Sequence, residues 1–71
     1  MNREASRKIE AVNRNMQFMN ITKNVYELEK LHNRSVNHLF DLASMNVYKE
    51  DEMEKFHNEL HECYRKNLRR L

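Results

Sequence analysis

The 71-residue chain contains neither glycine nor proline. Without glycine it cannot build glycine-rich phosphate loops, nucleophile elbows or the hairpin turns that need a positive φ. Without proline, its helices must be ended by polar capping residues. The sequence shows no sustained alternation of apolar and polar residues of the kind that would indicate a strand. The sequence therefore predicts an all-α fold in a single domain spanning residues 1–71.

The last third of the chain has the clearest helical pattern. A seam with 3-4-3-4 spacing runs through Met53, Phe56, Leu60, Cys63 and Asn67. Acidic residues crowd the first turns of this helix and basic residues crowd its last turns, as the helix macrodipole favours. We expect a helix over about 47–70, with Asn46 as its N-cap. Asn67 would either fix the packing register or lie in a frayed last turn.

The first 44 residues carry two apolar stripes that point in different directions. Ile9, Val12, Met16 and Met19 form one stripe, and it lies about 160° around the helix from the stripe that begins at Phe18. We favour a long first helix over about 4–44 that forms an antiparallel hairpin with 47–70 and assembles as a homodimer. The alternative is a break near residue 20, which would give three helices in one chain.

This mismatch between stripes also suggests a function. An apolar helix face left uncovered within the hairpin would suit a protein partner. We therefore predict a small, non-enzymatic regulatory or interaction protein of bacterial or phage type that binds a partner protein through amphipathic helix faces. The predicted partner-binding residues are Ile9, Val12, Met16, Phe18, Met19, Glu59 and His61.

Two basic groups support an alternative function in nucleic-acid binding. In a two-helix hairpin the chain termini lie at the same end, so the groups would form one basic pole that attracts phosphates. The formal net charge of +2 is too small to require such a partner. The groups consist of Arg3, Arg7, Lys8, Arg14, Arg65, Lys66, Arg69 and Arg70.

The residues able to hold a metal or to act as a nucleophile are few. His57 and His61 lie one turn apart on a helix, but no second ligand cluster accompanies them. Cys63 lies on the apolar seam, where a lone thiol usually acts as a small hydrophobic side chain. We expect no metal, no cofactor and no catalytic residues. No apolar run approaches the length of a membrane span, so we expect no membrane contact and a cytoplasmic location.

Residues 39–68 resemble the small aspartyl-phosphate phosphatases that restrain sporulation in bacilli. The matching residues are Leu42, Ala43, Met53, Phe56, Glu59 and Leu60. The family signature is Ser-Gln-Glu-Leu-Asp, and residues 57–61 read His-Asn-Glu-Leu-His, so Glu59 and Leu60 are retained. The resemblance implies a helical hairpin that docks on a phosphorylated response regulator. The resemblance implies either a phosphatase or an inactive relative that only binds. The inactive relative is the one that His61 suggests, because it replaces the acidic residue on which the family's activity depends.

Overall fold

The computed structural model describes residues 2–71 and is a bundle of three helices. They are α1 (Arg3–Ile21), α2 (Val25–Met45) and α3 (Glu50–Arg70). Each helix packs against the other two, and the bundle is 37 Å long. The all-α prediction is confirmed. The favoured continuous helix over 4–44 is wrong, and the alternative with a break near residue 20 is correct.

Polar side chains at residues 22–24 explain why the chain breaks there. The α1 helix ends at Thr22, whose backbone N–H still donates to the Phe18 carbonyl at 2.9 Å. Asn24 then caps α2, because its Oδ1 accepts hydrogen bonds from the backbone N–H groups of Tyr26 and Glu27 at 2.8 and 3.3 Å. These bonds satisfy donors that the first turn of a helix leaves free. The chain therefore reverses direction without glycine or proline.

The link between α2 and α3 differs from the sequence prediction. Asn46 is not the N-cap of α3 but the residue that ends α2, with φ 57° and ψ 30° in the left-handed region. Asparagine adopts this conformation more readily than most residues, so it replaces the usual glycine. The N-cap of α3 is Lys49, whose backbone N–H donates to the Glu52 carboxylate at 3.1 Å.

Contacts between side chains fix the direction of each helix. Lys8 pairs with Asp41 and Asn15 bonds to Ser35, so α1 and α2 run antiparallel. Asn67 on α3 bonds to Asn20, near the end of α1. The α1 and α3 helices are therefore parallel, in an up-down-up arrangement.

Each helix contributes one apolar seam to a common core. The buried residues are Ala5, Val12 and Met19 on α1, Leu28, Leu31, Leu39 and Leu42 on α2, and Met53 and Leu60 on α3. Ile9 and Met16 are half-buried and pack against this core. The stripe through Val12 and Met19 faces inward, and the second stripe faces inward from Leu28 onwards, because the break at 22–24 lets α2 take its own orientation. No helix within residues 2–71 is long and apolar enough to cross a bilayer.

Candidate functional site

Most of the stripe predicted to bind a partner is inside the molecule. Met19 is fully buried and Val12 is 5% exposed, while Ile9 and Met16 fill the space beside them. This part of the interface prediction is corrected, because the intramolecular bundle buries Val12 and Met19 and packs against one side of Ile9 and Met16. Phe18 differs from them, since it lies in the last turn of α1 with 45% of its surface exposed.

Large exposed apolar side chains gather instead around the turn between α1 and α2. Ile21 and Tyr26 are 70% and 79% exposed, and Phe18 and Val25 are also exposed. We call these four residues the apolar end. In the sequence, Ile21 and Val25 belong to the apolar stripe that begins at Phe18. The helix break is the local signal that could have separated them from the core, because it divides this stripe between the last turn of α1 and the first turn of α2.

Basic side chains border the apolar end. Lys23 is exposed in the turn itself, between Ile21 and Val25. The last turn of α3, which carries Arg69, reaches the same end of the bundle because α1 and α3 are parallel. The apolar end therefore combines aliphatic and aromatic surface with positive charge.

The basic residues proposed for nucleic-acid binding do not gather into one pole within residues 2–71. Arg3 and Arg7 begin α1, whereas the group at 65–70 ends α3, and parallel helices hold these groups at opposite ends of the bundle. Arg14 lies between them along α1. The prediction of one basic pole depended on a two-helix hairpin. Because the chain forms three helices instead, that prediction is wrong. Lys8 is also engaged, because its Nζ lies 3.0 Å from Asp41 Oδ2.

A polar network joins the last turns of α1 and α3. Asn67 is 2% exposed, and its Nδ2 donates to Asn20 Oδ1 at 2.7 Å and to the Cys63 carbonyl at 2.9 Å. Arg70 donates to Asn67 Oδ1 at 3.1 Å and to the carbonyls of Met19 and Thr22 at 3.2 and 2.8 Å. Arg70 thus satisfies carbonyls that the end of α1 leaves free. Of the two roles considered for Asn67, the packing role is the one observed.

An open cavity of about 480 Å³ lies beside this network. Its lining includes Cys63, Met16 and Asn20, and its outer rim is formed by Glu62, Arg65, Lys66 and Arg69. Burial raises the pKa of the Cys63 thiol, although Lys66 and a hydrogen bond with Asn67 oppose the rise. A raised pKa disfavours the thiolate, which is the nucleophilic form. The surroundings of Cys63 therefore favour the neutral thiol, and the charged side chains that line the cavity are exposed.

The two histidines considered as metal ligands, His57 and His61, lie on α3, and so does the segment that resembles the phosphatase signature. His57 packs beside Phe40 and His61 is exposed, so neither imidazole is enclosed in a ligand cage. No group of three or more potential metal ligands occurs within residues 2–71. In the segment that resembles the phosphatase signature, Leu60 is 1% exposed and belongs to the core, whereas Glu59 and His61 are exposed on either side of it.

Comparisons with known proteins assign no family. The chain matches no family model, no curated protein and no solved structure.

Proposed function

We propose that this chain is a small interaction protein without catalytic activity, which binds a partner protein through the apolar end. The observation that carries the proposal is the exposure of four large apolar side chains within residues 18–26, led by Ile21 and Tyr26. Isolated apolar residues are common on protein surfaces, but a group of them with an aromatic ring is typical of binding sites.

The charges around the apolar end indicate the chemistry of the partner. Lys23 interrupts the apolar residues and Arg69 lies at the same end of the bundle. A partner with an apolar patch bordered by aspartate or glutamate would bury the apolar side chains and also attract these cations. Complementary charges of this kind mainly accelerate association and select the partner. We therefore propose an acidic protein surface as the target.

Site-specific cross-linking tests this proposal. A photoreactive amino acid at position 21 or 26 should cross-link the same partner protein in the native host, and one at position 47 should not. Val47 is a suitable control because it is also apolar and exposed (43%) but lies in the link between α2 and α3.

The affinity of the chain for the partner that cross-linking identifies then gives the quantitative test. Ile21→Ser combined with Tyr26→Ser should weaken binding at least tenfold, because buried aromatic and aliphatic anchors carry much of the energy of an interface. Val47→Ser should change binding less than about twofold. Equal effects of the two variants would refute the apolar end as the binding site. Binding to RNA or DNA that weakens steeply with salt would instead support the nucleic-acid alternative.

The resemblance to aspartyl-phosphate phosphatases gives a second candidate function, and the exposed Glu59 is the observation that favours testing it. A phosphatase of this kind would need an acidic group at position 61, where this chain has His61. We therefore propose at most binding to a receiver domain, without hydrolysis. The lifetime of a phosphorylated receiver domain should be unchanged by the protein. A shortened lifetime that Glu59→Ala abolishes would contradict this.

A further inference from the structure

A second strip of apolar and aromatic side chains, with Phe40 and Leu68 exposed and three half-buried rings between them, runs along the side of the bundle formed by α2 and α3. Phe40 is 61% exposed, and its ring centroid lies 5.8 Å from that of His57. Farther along, His32 stacks on Tyr64 with centroids 4.2 Å apart, and Leu68 is exposed. We call this strip the α2–α3 face. It is separate from the apolar end and lies between two helices rather than at a turn.

The exposed side of α3 next to this face carries charges in a polarised order. Glu50 and Glu54 precede His57 and His61, and Arg65 and Arg69, which also line the cavity beside α1, follow them. At 100° per residue, the first five of these positions lie within about 80° of one another around the helix, and Arg69 is adjacent to them. All of the charged ones are exposed.

These charges are largely unused inside the chain. Within residues 2–71, Glu50, Glu54 and Arg69 have no ion-pair partner within 4.0 Å. Arg65 contacts only the exposed Glu62, at 3.8 Å. The acidic and basic halves of α3 are therefore both available to a molecule that packs against the exposed side of this helix.

We propose that the α2–α3 face binds a second copy of this chain, with the two α3 helices antiparallel about a two-fold axis. Glu50 and Arg69 are symmetric about the point between residues 59 and 60, and so are Glu54 and Arg65. One antiparallel register therefore brings both pairs to the same level along the two helices, and the symmetry makes each pair twice. A parallel arrangement would place acid against acid and base against base.

The chain has enough surface, and α3 enough length, for such a dimer. A stable interface of standard size buries about 800 Å² from each partner, and the chain exposes 5372 Å² in total, so about 15% of its surface would be needed. The α3 helix of 21 residues extends about 31 Å along the face. Phe40, Tyr64 and Leu68 would supply the apolar contact, and the charges would select the antiparallel orientation.

A charge-swap experiment tests the pairing. The acid-swapped variant carries Glu50→Lys and Glu54→Lys, and the base-swapped variant carries Arg65→Glu and Arg69→Glu. Sedimentation equilibrium at about 0.1 M salt, where charges still act over about 10 Å, should find the wild-type chain dimeric. Each variant alone should dissociate at least tenfold more readily, because all four pairs become repulsive. An equimolar mixture should form a heterodimer, because all four pairs become attractive again.

A variant with all four changes separates pairing from folding. Its reversed charges oppose the macrodipole at both ends of α3, so it should be the least helical of the variants if folding alone mattered. The pairing predicts that it nevertheless dimerises within about threefold of wild type. Phe40→Ser with Leu68→Ser, which leaves all charges in place, should weaken the dimer at least tenfold and keeps the test informative if a swapped variant fails to fold.

Specific results would overturn the proposal. These are a wild-type chain that stays monomeric at millimolar concentration, a folded swapped variant that dimerises as tightly as wild type, and a mixture of the folded swapped variants that remains monomeric. Cross-linking between two copies through the apolar end rather than through the α2–α3 face would also overturn it.

Discussion

The hydrogen bond between Asn20 and Asn67 should hold α1 and α3 in register, and its contribution to stability can be measured. Its length is 2.7 Å, and Asn67 is 2% exposed while Asn20 is exposed. Asn67→Ala removes this bond, the bond to the Cys63 carbonyl and the one from Arg70. A neutral hydrogen bond contributes a net of about 0.5–1.5 kcal/mol. We expect Asn67→Ala to lower the free energy of unfolding by about 2–4 kcal/mol.

A double-mutant cycle isolates the pair. Asn20→Ala removes the bond to Asn67 but leaves the other two partners of Asn67 in place, so it should cost about 1 kcal/mol. The two substitutions together should cost less than their sum, by a coupling energy of about 1 kcal/mol. Urea unfolding followed by far-UV circular dichroism gives the four free energies. A coupling energy below about 0.3 kcal/mol would refute the register role.

Three further predictions concern the core and the histidine on α2. Leu60→Ala should cost about 2–5 kcal/mol in urea unfolding, because it leaves a cavity at a position that is 1% exposed. The control for this substitution, Val47→Ala at an exposed position, should cost under about 0.5 kcal/mol. Met19→Asp should abolish cooperative unfolding, because it buries a carboxylate without a partner; a folded variant that lost only partner binding would restore the original interface prediction. Burial lowers the pKa of His32, with His61 adding to the effect and Asn33 opposing it. Stability should be full above pH about 6.5 and fall as the pH drops through that value, and His32→Phe should remove that part of the fall in pH-dependent urea unfolding.

The sign of the pH prediction follows from proton binding. With its pKa lowered in the folded chain, His32 binds a proton more readily in the unfolded chain. Acid therefore favours unfolding until the pH falls below the folded pKa, where the effect levels off. His32→Phe is the informative substitution because a phenyl ring can keep the stack on Tyr64 while removing the titration.

The helical class and the seam of α3 could be read from the sequence because each depends on local spacing. Met53 and Leu60 are buried as their 3-4-3-4 pattern predicts, with Phe56 and Cys63 half-buried beside them. Asn67 completes that seam, but its burial depended on Asn20 and Arg70, which are on no apolar stripe. No pattern within α3 could indicate that the end of α1 would lie within hydrogen-bonding distance.

The candidate sites were harder to locate because exposure is a property of the whole bundle. The stripe through Val12 and Met19 is equally apolar whether a second chain or α2 and α3 cover it. The deciding feature was whether the helix breaks at residues 22–24, because only a break lets α2 and α3 cover this stripe. The local hydrogen bonds of Asn24 favour a helix start there, and the Arg70 bonds to the Met19 and Thr22 carbonyls stabilise the preceding helix end. Only the hydrogen bonds of Asn24 could be predicted from the local sequence.

The two proposed surfaces have a combined consequence for stoichiometry. An antiparallel dimer through the α2–α3 face places its two apolar ends at opposite poles, because each α1–α2 turn lies at one end of a 37 Å bundle. One dimer would then hold two partner molecules without a clash between them. If the partner is itself dimeric or arrayed on a surface, the second contact becomes intramolecular and binding strengthens by avidity. The acid-swapped monomer, which keeps Lys23 and Arg69, should keep the affinity of a single apolar end but lose that avidity, which separates the two surfaces in one binding measurement.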